Sequence, residues 1–171
     1  GEIDPKGRVC LDIGASTGGF TEVLLAHGAA KVVAVDVGHD QLHPRLCGDP
    51  RVGVMQGVNA RTLTPDMVAK APQLLVCGAS FISLSKVLPA AMEVAAPRAY
   101  MVALIKPQFE VGKGLVGKGG VVRDPALHAS TIRKIEHWLT DVMGWRHIGT
   151  VPSPLKGPDG NSEFLIAGQK P

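Results

Sequence analysis

Two short apolar runs near the start of the chain each carry an aspartate, and a turn of small residues follows the first. The first run, Val9–Ile13, contains Asp12 and opens into Gly14–Phe20, which reads G-A-S-T-G-G-F, and the second run ends at Asp36. In an open α/β fold both segments would lie at the carboxyl ends of adjacent strands, where such folds bind nucleoside-containing ligands. Glycines let the backbone approach a ligand, and Asp36 is placed to accept hydrogen bonds from ribose hydroxyls.

The residues of this turn favour one nucleoside cofactor over another. A dinucleotide site reads G-x-G-x-x-G and holds its pyrophosphate at a helix N-terminus. The carboxylate of Asp12 would repel a pyrophosphate, but it suits a ligand that carries an ammonium and a sulfonium. The sequence therefore predicts an S-adenosylmethionine site rather than an NAD site, with the turn residues Gly14, Ala15, Ser16, Thr17, Gly18, Gly19 and Phe20 around the ligand.

A lysine and a glutamate are the candidates for proton chemistry. Lys106 follows the apolar run Tyr100–Ile105, so it would face the cleft from the carboxyl end of a central strand. Burial there disfavours the charged ammonium, which makes the lysine a candidate base; the alternative is a lysine that reaches solvent or a phosphate. Glu163 begins the last predicted strand, which the topology would return beside the strand of Lys106. At the end of the fourth strand stands Gly78, which lets a ligand approach but supplies no acid or base.

These side chains need a sheet to position them, and the hydrophobic pattern predicts one. The predicted strands are Arg8–Ile13, Lys31–Val35, Val52–Met55, Gln73–Cys77, Tyr100–Ile105, Arg146–Val151 and Glu163–Ala167, and the predicted helices are Thr21–Ala26, Pro65–Lys70, Ser83–Ala95 and Pro125–Met143. This alternation indicates an α/β fold with a mainly parallel sheet and helices on both faces. Only Pro152–Asn161 separates the last two strands. Because that link is too short for a helical crossover, we predict that this pair is antiparallel.

Two of the helices carry more specific signals. Thr64, Pro65 and Asp66 are typical of a helix start, with a capping residue, a proline in the first turn and an acid near the positive end. In the last helix an apolar face is expected from residues at helical spacing, namely Ile132, Ile135, Leu139 and Val142.

Composition limits the class of protein further. The chain has 171 residues with 19% charged and 45% hydrophobic residues, which fits one globular domain over residues 1–171. No apolar run approaches the roughly 20 residues of a membrane-spanning helix, and Gly1–Pro5 does not resemble a signal peptide. Three cysteines, Cys10, Cys47 and Cys77, form no paired motif, which favours a reducing cytoplasm. The net charge of +3 permits an anionic partner without requiring one.

The alternatives to this interpretation lack support in the residues. His39 and His43 have the spacing of a metal pair, but no third ligand lies nearby and Pro44 ends any helix, so no metal is expected. No nucleophile elbow, phosphate-binding loop or paired-cysteine motif occurs. The glycine- and lysine-rich stretch Pro107–Asp124 is predicted to be a binding loop, a lid or a disordered tip.

Five longer runs resemble a known family, in register over essentially the whole chain. They are D-I-G-A-S-T-G-G-F-T from Asp12, V-A-V-D-V-G-H from Val33, S-F-I-S-L from Ser80, L-I-K-P-Q-F-E-V-G from Leu104 and G-K-G-G-V-V-R-D-P-A-L-H from Gly117. They resemble the TlyA (hemolysin A) branch of the FtsJ-like RNA 2′-O-methyltransferases. The resemblance implies a Rossmann-like methyltransferase fold, S-adenosylmethionine as cofactor, and methylation of ribose 2′-hydroxyls of cytidines in ribosomal RNA. The name also implies a haemolytic activity, but no membrane-seeking helix supports it.

The resemblance assigns roles to individual residues and shows where this chain departs from the pattern. Lys106 and Glu163 match the second lysine and the glutamate of a Lys-Asp-Lys-Glu catalytic set, and Val37 follows Asp36 in the cofactor site. Gly78 stands where the family has its catalytic aspartate. In the segment after the third strand, which lies near the adenosine, Gln56 replaces the usual acid and Asn59 follows it. The resemblance also implies that the full-length protein has an S4-like RNA-binding domain and the first catalytic lysine ahead of Gly1.

The expected chemistry is ribose methylation, with Lys106 assisting removal of the hydroxyl proton and Glu163 orienting the lysine. The alternative is a cofactor- or RNA-binding domain of the same fold that Gly78 has left catalytically impaired. Base methylation fits less well, because amino-methylases commonly carry an aromatic-rich motif after the fourth strand. Ribosomal RNA or ribosomal subunits are the expected partners, with loop cations that could bind phosphates, namely Lys113, Lys118, Arg123 and Lys156. The scarcity of aromatic residues argues against base stacking in this domain.

Overall fold

Seven strands form one mixed sheet in a computed structural model, which describes residues 3–154 and 156–171. The strands are β1 Val9–Ile13, β2 Lys31–Asp36, β3 Val52–Gln56, β4 Leu74–Cys77, β5 Tyr100–Ile105, β6 Arg146–Pro152 and β7 Phe164–Gln169. Their order is β3-β2-β1-β4-β5-β7-β6, with β1 to β5 parallel and β7 antiparallel to both neighbours. The predicted α/β fold, its strands and its antiparallel last pair are therefore confirmed. Gly1, Glu2 and Leu155 lie outside the described residues.

The helices differ in extent from those that the hydrophobic pattern predicted. They are α1 Gly19–Ala26, α2 Pro44–Cys47, α3 Leu84–Val87, α4 Pro89–Val94 and α5 Pro125–His137, and α5 continues as a π-helical turn over Trp138–Val142. Pro44, which was expected to end a helix, begins α2. The predicted helix Ser83–Ala95 is divided because Pro89 cannot donate a backbone hydrogen bond and begins a new helix. Three short 3₁₀ turns occupy the predicted loop after β5, at Pro107–Phe109, Lys113–Leu115 and Lys118–Gly120.

Two detailed helix predictions were wrong. The segment Pro65–Lys70 forms only a 3₁₀ turn over Pro65–Met67, and the Thr64 hydroxyl donates to the Asp66 carboxylate (2.6 Å) instead of capping a helix. No residue of this turn is fully buried, and only Met67 and Val68 of the segment pack partly against the core, which is little to repay the cost of starting a helix. In the last helix Val142 is 67% exposed, because the π-helical turn adds a residue and rotates the apolar face toward Trp138 and Leu139.

The core lies on both faces of the sheet. All four residues of β4 are buried, as expected for a central strand covered on both sides. The largest buried cluster packs α3, α4 and α5 against β4 and β5, and the second packs α1 and α2 against β1 and β2. Among the described residues no helix is long and apolar enough to cross a membrane. The carboxyl ends of the five parallel strands therefore share one edge, which is where the candidate site lies.

Candidate cofactor and catalytic site

The turn after β1 is held tightly against the neighbouring strands. The backbone N–H groups of Gly14 and Ala15 both donate to the Val35 carbonyl, at 2.9 and 3.1 Å. Gly14 has a φ of +71°, and a Cβ there would lie 2.6 Å from the Cα of Ala79. Only glycine satisfies both conditions, so Gly14 brings the turn into contact with the segment after β4.

Asp36 closes β2 and ties two turns together. Its carboxylate accepts the Ser16 backbone N–H (2.7 Å) on one oxygen and the Gly38 backbone N–H (2.9 Å) on the other. Each carboxylate oxygen has a further lone pair, so Asp36 can still accept a ligand hydroxyl. Val37 beside it is 70% exposed and lines the cleft described below.

Asp12 lies beneath the turn instead of at the surface. It is fully buried, and the Thr21 hydroxyl of α1 donates to its Oδ2 at 2.7 Å. Burial raises the pKa of Asp12 to about 6, against the opposing hydrogen bonds from Thr21. Its Oδ1 is buried with no hydrogen-bond partner among the described residues. The carboxyl group is thus an unsatisfied acceptor directly under the glycine turn.

The residues after β3 divide into two roles. The Asn59 side chain caps a short turn by accepting the Arg61 backbone N–H (3.0 Å), and Asn59 lines the main cleft. Gln56 instead accepts the Asp40 backbone N–H (2.9 Å) and lies beside a much smaller cavity behind the turn. Gln56 therefore supports the loop at residues 37–41 in this conformation.

A cleft of about 510 Å³ opens at the carboxyl ends of β1, β2 and β4. Six of the predicted cofactor residues line it, and they are Gly14, Ser16, Asp36, Val37, Asn59 and Gly78. The other predicted cofactor residues lie outside its walls, and they are Asp12, Ala15, Thr17, Gly18, Gly19, Phe20 and Gln56. Sequence reasoning did not predict the other lining residues, among them Val58, Ala60, Ser80, Phe81, Ile82 and Val87. The S-F-I-S-L run was the available signal for Ser80, Phe81 and Ile82, since it follows β4 closely.

Lys106 reaches from the end of β5 to the segment after β4. Its ammonium donates to the Gly78 carbonyl (2.9 Å) and to the Ser80 hydroxyl (2.9 Å), and both of these residues line the cleft. The strand that carries Lys106 is thereby linked to the wall of the cleft by two neutral acceptors.

Glu163 stands next to Lys106 in the sheet but is bound to another residue. Ile105 pairs with Phe164, so Lys106 and Glu163 are the next positions along this antiparallel pair. Glu163 is buried and accepts the Gln108 side-chain amide at 3.3 Å. In the part of the chain that the structure describes, no ion pair within 4.0 Å joins Lys106 and Glu163. The predicted orientation of the lysine by this glutamate is therefore not a direct contact here.

Gly78, which stands where the sequence resemblance expects an aspartate, has little room for a side chain. A Cβ built on Gly78 would lie 3.2 Å from the Phe20 ring, which is tighter than ordinary van der Waals contact. Phe20 belongs to α1 and packs against the second buried cluster. An acidic side chain at position 78 would therefore require the Phe20 ring to move by a few tenths of an ångström.

The other sequence predictions concern cations and cysteines. Among the loop cations, Arg123 donates to the Lys118 carbonyl (3.3 Å), and Arg123 and Lys156 line a small cavity of about 300 Å³. Cys10 and Cys77 are buried, and burial raises both thiol pKa values to about 12, whereas Cys47 is exposed. No cluster of metal-ligating side chains occurs within residues 3–154 and 156–171.

Phe81 is an exception to the predicted scarcity of exposed aromatic side chains. Phe81 is 89% exposed, with a positive φ of 65°, and its ring contacts Phe109 at 4.9 Å between centroids. A large exposed apolar ring in a conformation that side chains rarely adopt is unusual. The sequence placed Phe81 after the fourth strand but did not reveal that its ring faces outward.

The strand order and the nucleoside-sized cleft define the class as a Rossmann-like methyltransferase fold. The sequence profile described as FtsJ-like methyltransferase matches residues 1–170, so the chain belongs to the FtsJ-like methyltransferase family. The resemblance found in the sequence motifs is thereby confirmed.

Individual relatives are similar over nearly the whole chain. Over 164 residues the chain is 53% identical to the 16S/23S rRNA (cytidine-2′-O)-methyltransferase TlyA of Mycobacterium tuberculosis, covering 96% of this chain and 61% of that protein. It is 42% identical to Hemolysin A of Brachyspira hyodysenteriae, covering 95% of this chain and 68% of that one. A solved structure from Lactococcus lactis with a hemolysin name matches with a TM-score of 0.95 at 42% identity, covering 99% and 81%. The chain thus spans less than two thirds of the mycobacterial relative.

Proposed function

We propose that this chain is the catalytic domain of an S-adenosylmethionine-dependent methyltransferase that modifies ribose 2′-hydroxyls of ribosomal RNA, with cytidine as the target nucleotide. The observation that carries the proposal is the position of Lys106, whose amine is anchored on two residues of the cofactor cleft. Membership of the FtsJ-like family and the printed activity of the mycobacterial relative support it. The cytoplasmic location expected for such an activity stays a prediction.

The cleft fits the cofactor in size and chemistry. Its volume of about 510 Å³ lies within the usual range of small-molecule sites. Asp36 offers acceptors for ribose hydroxyls, and Gly14 and Gly78 leave room for close approach of the ligand. The unsatisfied Oδ1 of Asp12 is an acceptor under the turn that a bound ammonium group or a water could use. S-adenosylmethionine, when bound, supplies a methyl group already activated by the sulfonium.

Lys106 provides the proton chemistry in this proposal. A 2′-hydroxyl is a weak nucleophile, so positioning and removal of its proton are the tasks left to the protein. Because two donor bonds fix the Lys106 amine, a neutral form would keep its lone pair for the hydroxyl proton. General base assistance of this kind contributes about 10²–10⁴-fold to a rate. Glu163 acts on Lys106 only indirectly in this proposal. Its carboxylate accepts the side-chain amide of Gln108, which lies in the 3₁₀ turn Pro107–Phe109 directly after Lys106.

The exposed ring of Phe81 supports an RNA substrate. It lies on the rim of the cleft, since Phe81 is one of the residues that line it. Single-stranded RNA is commonly held by stacking of unpaired bases on aromatic side chains. A nucleotide whose ribose enters the cleft would bring its base close to this ring.

A methyl-transfer assay tests the proposal. Radiolabelled S-adenosylmethionine is incubated with the protein and with small or large ribosomal subunits, and resistance to alkaline hydrolysis identifies 2′-O-methylation. We expect transfer by the wild type and a transfer rate about 10²–10⁴-fold lower in Lys106→Ala. The control is Lys31→Ala, since Lys31 begins β2 at the edge of the sheet opposite the cleft. Base methylation, or transfer that survives Lys106→Ala unchanged, contradicts the proposal.

The absence of an acid at Gly78 favours the impaired domain as the second candidate. Calorimetric titration with S-adenosylmethionine, on the wild type and on Gly78→Asp, separates the two. An impaired binding domain binds the cofactor without transferring methyl groups, and Gly78→Asp then gains transfer. An active wild type that Gly78→Asp does not improve rules the second candidate out.

A further inference from the structure

A second groove adjoins the cofactor cleft. Phe81 and Ile82 line both, so the two openings are continuous at that point. The groove has a volume of about 600 Å³. Its charged walls come from the turn after β3, from α3 and from α5, which contribute Arg61, Lys86 and Lys134.

The single acid in this groove is already neutralised within the protein. Glu110 has a buried side chain that accepts the Ser83 hydroxyl (2.7 Å) and the Leu84 backbone N–H (2.9 Å). The Lys134 ammonium lies 3.9 Å from its carboxylate and donates to the Glu110 carbonyl at 2.8 Å. Glu110 and Lys134 therefore hold the start of α3 in place, and the charge that remains in the groove is positive.

The two other cations of the groove have no such role. Within residues 3–154 and 156–171, neither the Arg61 guanidinium nor the Lys86 ammonium forms a side-chain hydrogen bond or ion pair. Arg51 shows the contrast, because Asp49 binds its guanidinium at 2.8 Å. Two uncommitted cations facing one groove with serine hydroxyls are suited to anionic oxygens.

We propose that this basic groove binds backbone phosphates of the RNA on one side of the target nucleotide, through Arg61 and Lys86. The inference rests on the proposed function, since it takes RNA as the substrate. The continuity with the cofactor cleft favours RNA over an acidic protein. A strand whose target ribose occupies the cleft passes over Phe81, and the groove is the adjoining space that its next phosphates can enter. Phosphate contacts of this kind fix the position of the strand and carry no sequence information.

Fluorescence anisotropy with a short fluorescein-labelled single-stranded RNA, measured over a range of salt concentrations, tests the groove. The double variant Arg61→Gln/Lys86→Gln removes both free cations and leaves the Glu110–Lys134 contacts intact. The matched control is Lys31→Gln/Lys70→Gln, which removes two exposed cations near the amino ends of the parallel strands. We expect binding to weaken about tenfold in the groove variant and to stay unchanged in the control.

The salt dependence gives a second, independent readout. Loss of two phosphate contacts should lower the slope of log K against log salt by about 1.4, which is about 0.7 for each contact on a single strand. Wild-type affinity and slope in the groove variant would overturn the proposal, as would equal losses in the control or tighter binding of polyglutamate than of RNA. Titration of the same proteins with S-adenosylmethionine tests the proposed function separately from the groove. Because RNA binding is measured without methyl transfer, loss of cofactor binding would count against the proposed function and leave the result for the groove unaffected.

Discussion

The polar side chains on the two halves of the sheet's carboxyl edge differ in their hydrogen-bond partners. On the half formed by β1 to β3, polar side chains are bound to backbone N–H groups of the turns, as Asp36 is to Ser16 and Gly38. On the half formed by β4 and β5, Lys106 is held by neutral acceptors. The adjoining groove leaves two cations without a side-chain partner among the described residues, Lys86 from α3 and Arg61, which the turn after β3 contributes. The first half is arranged before a ligand arrives, as suits a small molecule of fixed shape. The second half keeps its charges available, as suits a longer anionic chain.

The largest expected effect is on the stability of the fold, in the half formed by β1 to β3. Gly14→Ala should destabilise the fold by about 3 kcal/mol, because the new methyl group meets Ala79 in a left-handed backbone conformation. Gly119→Ala is the matched control, since Gly119 also has a positive φ but nothing lies within 4 Å of its added Cβ. That variant should lose only about 1 kcal/mol. Urea denaturation measures both, and equal losses would show that close packing of the turn is unimportant.

The next effect is a dependence of stability on pH through Asp12. Its folded pKa of about 6 lies above the ordinary value of 3.8, so the unfolded chain releases this proton more readily. The contribution of Asp12 to stability therefore falls as pH rises from about 4 to about 6 and stays low above that range. Asp12→Asn should remove this dependence and raise the free energy of unfolding at pH 7 by about 2 kcal/mol.

Thr21→Val supplies the complementary test of Asp12. The Thr21 hydroxyl donates to the carboxylate, so its loss should destabilise the ionised form and leave the protonated form less affected. The difference between wild type and Thr21→Val should grow between pH 4 and pH 7. A difference that is constant with pH would contradict the assignment of this titration to Asp12.

The smallest effect is on kcat, in the half formed by β4 and β5. Ser80 is a positioning residue for Lys106, and Ser80→Ala should lower kcat about five- to tenfold, since one hydrogen bond to the amine is lost. KM and the melting temperature should change little, and Ser80→Thr should restore most of kcat because it retains the hydroxyl. A rise in KM as large as the fall in kcat, or a kcat of Ser80→Thr as low as that of Ser80→Ala, would assign Ser80 a packing role instead.

Much of the fold could be predicted because the sequence patterns that specify it are local. Each strand is a short apolar run, and the short link Pro152–Asn161 was enough to predict the antiparallel last pair. Gly14, Ser16 and Asp36 line the cleft because they follow directly from their strands, and their role in cofactor binding stays a prediction. The predicted roles of Lys106 and Glu163 in catalysis stay predictions.

The remaining differences depend on contacts between distant segments. The Glu163 carboxylate accepts the Gln108 amide, so its predicted orientation of Lys106 is not a direct contact here and stays a prediction. The outward direction of Phe81 depends on a positive φ that no local pattern announces. The π-helical turn after α5 likewise changed which residues are buried.

The position of β7 has a consequence for how the chain assembles. β7 lies between β5 and β6, and β6 has no other neighbour in the sheet. During synthesis β6 therefore emerges from the ribosome without a strand to pair with, and β5 waits with an open edge. The sheet closes only when residues 164–169 insert between them, in a step that joins segments far apart in the chain. Folding of the segment that carries β6 and β7 should thus be the late step of biogenesis, with the open edge of β5 as the site most exposed to aggregation or to a chaperone.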